Sequence, residues 1–193
     1  VISGSDADGA MSVHVADIDS DGDLDIVAAL FMTSHVVWIE NDGSPNNGGW
    51  TSHDVVSSSS SKESYDVTVA DIDGDGDLDI LEADQTNKIY WYENDGTPDD
   101  GTWSMTKIKG GLTDAHVVAT ADLDNDGDLE LVTARKSGMA YVFHHDGTPY
   151  NNFPASLGGN VESSPAIGDI DGDGDFELVF GTTGGLKVID IKE

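Results

Sequence analysis

Four in-phase repeats restrict the fold of this chain more than any other feature. The segments DIDSDGDLD (Asp17 to Asp25), DIDGDGDLD (Asp71 to Asp79), DLDNDGDLE (Asp122 to Glu130) and DIDGDGDFE (Asp169 to Glu177) align without gaps, their starts 54, 51 and 47 residues apart. The likeness runs on in both directions. VHVA, VTVA, VATA and PAIG precede the acidic stretch, and IVAAL, ILEAD, LVTAR and LVFGT follow it. A third segment comes next, VVWIENDG, IYWYENDG and AYVFHHDG, with LKVIDI in its place in the last unit. A weaker fourth segment closes the first three units, from Trp50, Trp103 and Phe153.

These segments are short, rich in Val, Ile, Tyr and Trp, and partly alternating, which is the pattern of β-strands. D-G-S-P and D-G-T-P supply turn chemistry between the third and fourth segments, and no stretch carries a helical period. The expected fold is all-β: a β-propeller of four-stranded antiparallel blades, about 50 residues each. A β-sandwich would not repeat one loop four times in phase. The blades are expected over residues 4–56, 57–109, 110–157 and 158–193 of a single propeller domain or fragment. The last unit stops after its third strand, and Val1-Ile2-Ser3 falls where a fourth strand would precede the first unit. Those three residues either complete the last blade of a small ring or belong to consecutive blades of a larger propeller, which is the expected arrangement.

Charge narrows the function. Eight Lys and Arg against 38 Asp and Glu give a formal net charge of −30. Such a chain repels nucleic acid and anionic membrane surfaces, both of which need a basic face. No apolar run reaches the roughly 18 residues of a membrane span. Without cysteine there is no thiolate metal site and no disulfide framework. The acidity is concentrated: each nine-residue loop carries acidic groups at positions 1, 3, 5, 7 and 9, more than half of the total.

Oxygen ligands at alternate positions of a tight loop suit Ca2+, which takes six to eight oxygens at about 2.3–2.6 Å. Gly22, Gly76, Gly127 and Gly174 at position 6 allow a sharp turn. Position 4, occupied by Ser20, Gly74, Asn125 and Gly172, tolerates unusual backbone angles as well. Positions 2 and 8 are apolar in every copy and are expected to anchor each loop in its blade. An EF-hand shares the opening D-x-D-x-D-G but needs Glu at position 12 and flanking helices. Position 12 is Ala28, Glu82, Thr133 and Phe180, and the flanks are strand-like. Mg2+ prefers fewer protein ligands, and zinc lacks Cys and clustered His. About four calcium ions, one per loop, are expected.

The combination A-D-I-D-G-D-G-D-L-D-I with K-I-Y-W-Y-E-N-D-G resembles the FG-GAP or VCBS repeats of the integrin-alpha-like propeller family, over nearly the whole chain. The resemblance implies calcium held by side chains at positions 1, 3, 5 and 9 and by the carbonyl of position 7. The candidate metal ligands are Asp17, Asp19, Asp21, Asp23 and Asp25; Asp71, Asp73, Asp75, Asp77 and Asp79; Asp122, Asp124, Asp126, Asp128 and Glu130; and Asp169, Asp171, Asp173, Asp175 and Glu177. Of the family's Phe-Gly and Gly-Ala-Pro elements only Phe180-Gly181 is kept, which likens the chain to secreted bacterial or archaeal members.

No catalytic constellation is evident. The six His residues occupy different positions in their repeats, and His144-His145 reads as a solvated pair beside a turn. The recurrent Trp38 and Trp91, and Trp50 and Trp103, read as blade packing. The expected function is a non-enzymatic extracellular or cell-surface adhesion or recognition module with structural calcium and a protein or glycan ligand. The family implies ligand contact at the face opposite the calcium loops, where Ser57–Ser64, Asp84–Asn87 and Arg135–Gly138 are the candidates. The alternatives are self-association into a surface layer or filament, and the propeller of a polysaccharide lyase, for which Arg135-Lys136 is the one local basic pair.

Overall fold

Alternating β-branched residues become strands here because each strand finds a neighbour within its own repeat. The computed structural model describes residues 9–32, 35–44, 46, 48–55 and 63–191, with the backbone alone for His35 and His116. It contains four antiparallel meanders. Strands β1 (Ala10–Ala16), β2 (Asp25–Leu30), β3 (His35–Asn41) and β4 (Trp50–Asp54) form blade 1. Strands β5 (Ser64–Ala70), β6 (Asp79–Asp84), β7 (Lys88–Glu93) and β8 (Ser104–Gly110) form blade 2. Blade 3 has β9 (Ala115–Ala121), β10 (Glu130–Arg135), β11 (Met139–Phe143) and the two-residue β12 (Ala155–Ser156). Blade 4 has β13 (Ala166–Gly168), β14 (Glu177–Thr182) and β15 (Gly185–Asp190). Val1-Ile2-Ser3, offered by the sequence as a closing strand, lies outside the described residues.

Position within a blade decides burial. The second strands β2, β6 and β10 are almost wholly buried, because both of their faces are covered. β2 is accordingly a near-continuous apolar run, whereas β6 and β10 also bury polar groups, Glu82, Asp84 and Thr133 among them. The outer strand β8 is largely exposed and carries Lys107 and Lys109, a charged edge that resists pairing with another chain.

The blades pack face to face through three apolar layers. Ile18, Val27, Ala29, Val36 and Trp38 of blade 1 meet Val67, Ile80, Tyr90 and Tyr92 of blade 2. Ile72, Leu81, Ala83 and Ile89 of blade 2 meet Val118, Leu131 and Phe143 of blade 3. Leu123, Val132, Ala134, Ala140 and Val142 of blade 3 meet Leu178, Phe180 and Ile191 of blade 4. No apolar cluster joins blade 4 to blade 1 among the described residues, so the set of sheets is not closed.

Polar ties reinforce the layers. Asp66 on β5 accepts hydrogen bonds from Ser12 Oγ at 2.6 Å, Ser164 Oγ at 2.9 Å and the Val118 N–H at 3.0 Å. One carboxylate thus gathers all four blades where their first strands converge. Asn94 Nδ2 donates to the carbonyls of Ile18 and Leu78, both at 3.2 Å, and so links the acidic loops of blades 1 and 2.

Candidate metal centres

Each acidic loop joins the first strand of a blade to the second, so all four emerge at the same end of the fold. The loops close on themselves through their own carboxylates. In the first, Asp17 accepts from the N–H groups of Asp21 and Gly22, both at 3.0 Å, and Asp21 accepts from Asp23 N–H at 2.8 Å. The second repeats this with Gly76 N–H on Asp71 at 3.1 Å and Asp77 N–H on Asp75 at 2.9 Å. The fourth has Gly174 N–H on Asp169 at 3.2 Å and Asp175 N–H on Asp173 at 3.1 Å. Such bonds bend the chain so that alternate side chains point inward.

The turn needs left-handed backbone at two places, and both are where the sequence placed tolerant residues. Position 6 has φ between 98° and 101° in Gly22, Gly76, Gly127 and Gly174. A Cβ there would meet no atom, so the glycine is required by the dihedral and not by crowding. Position 4 is also left-handed: Ser20, Gly74, Asn125 and Gly172 all have positive φ.

Position 9 plays a fixed role. Asp25, Asp79, Glu130 and Glu177 are buried, and each accepts a hydrogen bond from the N–H of position 2 in its own loop, at 3.1, 3.0, 2.8 and 2.7 Å. In the first two loops the second carboxylate oxygen accepts from Asn41 or Asn94 N–H at 2.8 Å. This buried residue therefore pins the loop to the next turn of its blade. Burial pushes the Asp79 carboxyl up to about 6 against these donors. It also raises Asp19 and Glu130; for Asp19 the neighbouring charges of Asp25, Asp21 and Asp17 add to the effect.

The donor set suits a hard cation. Carboxylate oxygens of Asp17, Asp19 and Asp25, of Asp71, Asp73 and Asp79, and of Asp122, Asp124 and Asp126 lie within 4.8 Å of one another in their own loops. Buried oxygens of Asp71, Asp122, Asp124 and Glu177 have no hydrogen-bond partner among the described residues. Carboxylate oxygens converging without donors repel one another, and a cation relieves that repulsion. Position 7 stands apart: Asp23 and Asp77 turn their side chains towards Gly43 and Gly96 of the following turn, leaving a backbone carbonyl as the group this position can offer.

Three expectations change. Ile18, Ile72 and Leu123 at position 2 are buried as anticipated, but Ile170 is exposed. At position 8, Leu78 and Phe176 pack against the inter-blade layers whereas Leu24 is exposed. Both exceptions belong to terminal blades, which lack one neighbour. The His144-His145 pair is not a solvated bystander. His144 Nδ1 lies 3.0 Å from Glu130 Oε1 and its ring tilts against Tyr150, while His145 Nδ1 lies 3.4 Å from Asp128. The third loop thus replaces the Asn brace of loops 1 and 2 with imidazoles. The bracing Asn was not anticipated from the sequence; its recurrence in the E-N-D-G of the first two units was the available signal.

At the opposite end, the candidate ligand loops are held firmly where they are described. Asn87 Oδ1 accepts from Asp114 N–H at 2.8 Å. Arg135 donates to the Gly111 carbonyl at 2.9 Å and lies over the Tyr141 ring. Gly138 approaches Gly159 so closely that a Cβ would clash with its carbonyl. Most of Ser57–Ser64 lies outside the described residues.

A family model described as an FG-GAP-like repeat matches residues 21–82, 82–133 and 122–180. No curated protein matches the chain. Among solved structures, it is similar to the V. cholerae biofilm matrix protein Bap1 (TM-score 0.59, 20% identity, 94% of this chain and 26% of that one). It is similar also to the computationally designed Ika4 protein (0.64, 11% identity, 100% and 96%). A third is an Agrocybe aegerita lectin described as recognising non-reducing terminal N-acetylglucosamine (0.59, 22% identity, 91% and 48%). The chain spans about a quarter of the first and half of the last, and at these identities the likeness concerns the fold.

Proposed function

The chain belongs to the FG-GAP-like repeat family, and from that premise we propose that it is a non-enzymatic extracellular recognition or adhesion module whose four loops hold calcium as a structural ion. The observation that carries this reading is the convergence of carboxylate oxygens in the loops, several of them buried without a donor among the described residues. Side chains at positions 1, 3 and 5 would supply most ligands, with the carbonyl of position 7 and the outer lone pairs of position 9. Bound calcium would neutralise the loops and stabilise the folded state by mass action. Extracellular modules bind calcium at about 10⁻⁴ to 10⁻³ M, which fills them outside a cell.

The acidic loops occupy one end; at the other, Lys88, Lys109, Arg135 and Lys136 lie on or beside strands β7, β8 and β10, interspersed with Asp54, Glu63, Asp84, Asp114 and Glu162. That end is the one proposed to meet a protein or glycan ligand. The biofilm matrix protein and the lectin that share the fold support an extracellular setting and a glycan among the ligands. The lyase alternative loses its basic pair, because Arg135 is committed to Gly111 and Tyr141. His53, His144 and His145 each face a carboxylate.

A glycan-array screen in millimolar calcium, repeated in EDTA, tests the proposal. Binding of a defined glycan in calcium and its loss in EDTA is the expected result. A fold indifferent to calcium, followed by calorimetry on the same sample, would overturn the metal assignment. A calcium-dependent fold that binds no glycan would direct the search to protein ligands.

A further inference from the structure

The repeats depart from one another at two positions that meet in space. The residue opposite Trp38 on the fourth strand is His53, whereas the residue opposite Trp91, its counterpart in blade 2, is Thr106. In the D-G-S-P and D-G-T-P turns, Asp99 stands where the first and third units have Asn46 and Tyr150. His53 and Asp99 come together with Glu40 of β3 at the seam between blades 1 and 2. One donor atom from each of the three lies within 4.8 Å of the other two, and His53 Nε2 is 2.8 Å from Glu40 Oε2. The corresponding residues for the seam between blades 2 and 3 are Glu93, Thr106 and Tyr150, which lack both the imidazole and the second carboxylate.

Each donor is held in place. The His53 ring stacks on buried Trp38, with centroids 4.3 Å apart and planes at 21°. Glu40 and His53 are partly buried on neighbouring strands. Asp99 is exposed in the 3-10 turn Pro98–Asp100, and buried Pro98 fastens that turn to its blade. Neighbouring acids are used inside the turn: Asp95 accepts from Thr97, and Asp100 from Thr102. Asp99 instead carries its carboxylate across the seam. Two carboxylates and one imidazole thus converge in a chain of formal net charge −30. The ring proton shared by His53 and Glu40 satisfies one carboxylate and leaves the other facing like charge, whereas a divalent cation satisfies both. An imidazole nitrogen with carboxylate oxygens suits zinc, while calcium and magnesium favour oxygen alone. We propose that Glu40, His53 and Asp99 form a zinc site that clips blade 1 to blade 2 on the outer side of their seam. The ion takes the place of the proton at Nε2, which passes to Nδ1 or to solvent, and three protein donors leave a fourth position for water. None of the three residues belongs to an acidic loop, so the site is independent of the calcium assignment.

Calorimetric titration of the whole chain with zinc chloride, in millimolar calcium to occupy the loops, tests the site. The unaltered chain should take up one equivalent more than His53→Ala or Asp99→Asn. Loss of a direct ligand should weaken uptake by no less than the roughly 10- to 100-fold that loss of an outer partner costs. Asp99 is exposed, so Asp99→Asn should melt as the parent does in calcium alone; added zinc should then raise the parent's melting temperature further than the variant's. No uptake of zinc, an equivalent that both variants retain, or an equal rise in melting would each overturn the site. Further equivalents taken up by parent and variants alike would count against calcium in the loops, and the difference of one equivalent would still decide the site.

Discussion

Two carboxylates in the same loop are expected to behave differently when removed. Asp73 belongs to the second loop's oxygen cluster, so Asp73→Ala should lower the melting temperature in calcium and leave the EDTA value nearly unchanged. Asp79 also belongs to that cluster and in addition accepts hydrogen bonds from the backbone of Ile72 and Asn94. Its replacement by Ala leaves two N–H groups without their acceptor and should cost roughly 2–3 kcal/mol already in EDTA, with a further loss in calcium. Differential scanning calorimetry with and without EDTA separates the two. Glu82 tests a group outside the loops. It is fully buried on β6, accepts a bond from Tyr92 O–H, and lies near Asp84, Lys88 and Tyr90. Burial raises its carboxyl above the usual 4.5, although the Tyr92 bond opposes this. The folded state then holds the proton more tightly than the unfolded one. Glu82 thus favours folding below pH 4.5 and forfeits that contribution as pH rises through its folded value. Glu82→Gln keeps an acceptor for Tyr92 without the charge. It should be more stable than the parent at pH 7 by about 1 kcal/mol, or roughly 2–4 °C. Melting in EDTA between acid and neutral pH should show the gap closing on acidification; a constant gap would mean that charge is not its cause.

Elements were legible in the sequence wherever local chemistry determines them. The strands, the order within each meander and the left-handed positions 4 and 6 follow from alternation, turn residues and glycine placement. The oxygen-rich loops followed from acidic groups at every second position. What could not be read is which copy of a repeated residue has a neighbour. Ile18 and Ile170 occupy the same loop position, yet one is buried between blades and the other is exposed, because burial depends on the next element in space. The Asn of the E-N-D-G turn was likewise opaque: Asn94 acts on the Ile18 carbonyl, 76 residues away. Asn94→Ala removes two donated bonds and the acceptor for Gly96 N–H at 3.1 Å. The expected loss is about 1–2 kcal/mol by urea unfolding. Asn41 has the Leu24 bond at 3.2 Å within its own blade, so Asn41→Ala should cost less.

At the level of the whole molecule, adjacency of blades rests on apolar layers, while their common centre rests on Asp66. Asp66→Ala would strip three donors of their acceptor, among them the Val118 N–H. A loss on the order of 3 kcal/mol is expected, and Asp66→Asn should recover part of it in the same urea titration. The corresponding ladder positions in blades 1 and 3 are Ser12, opposite Ala29, and Val117, opposite Ala134, just as Asp66 is opposite Ala83. Among the described residues only blade 2 brings an acid to the centre; blades 1 and 4 bring the hydroxyls that donate to it. The repeats are therefore alike in outline but not interchangeable. An unaltered duplicate of blade 2 inserted beside the original would bring a second carboxylate to the same converging strands, where it repels the first and competes for the same two serines. Growth of such an array by copying is limited at its axis, and each new unit must change its central residue before it can be kept.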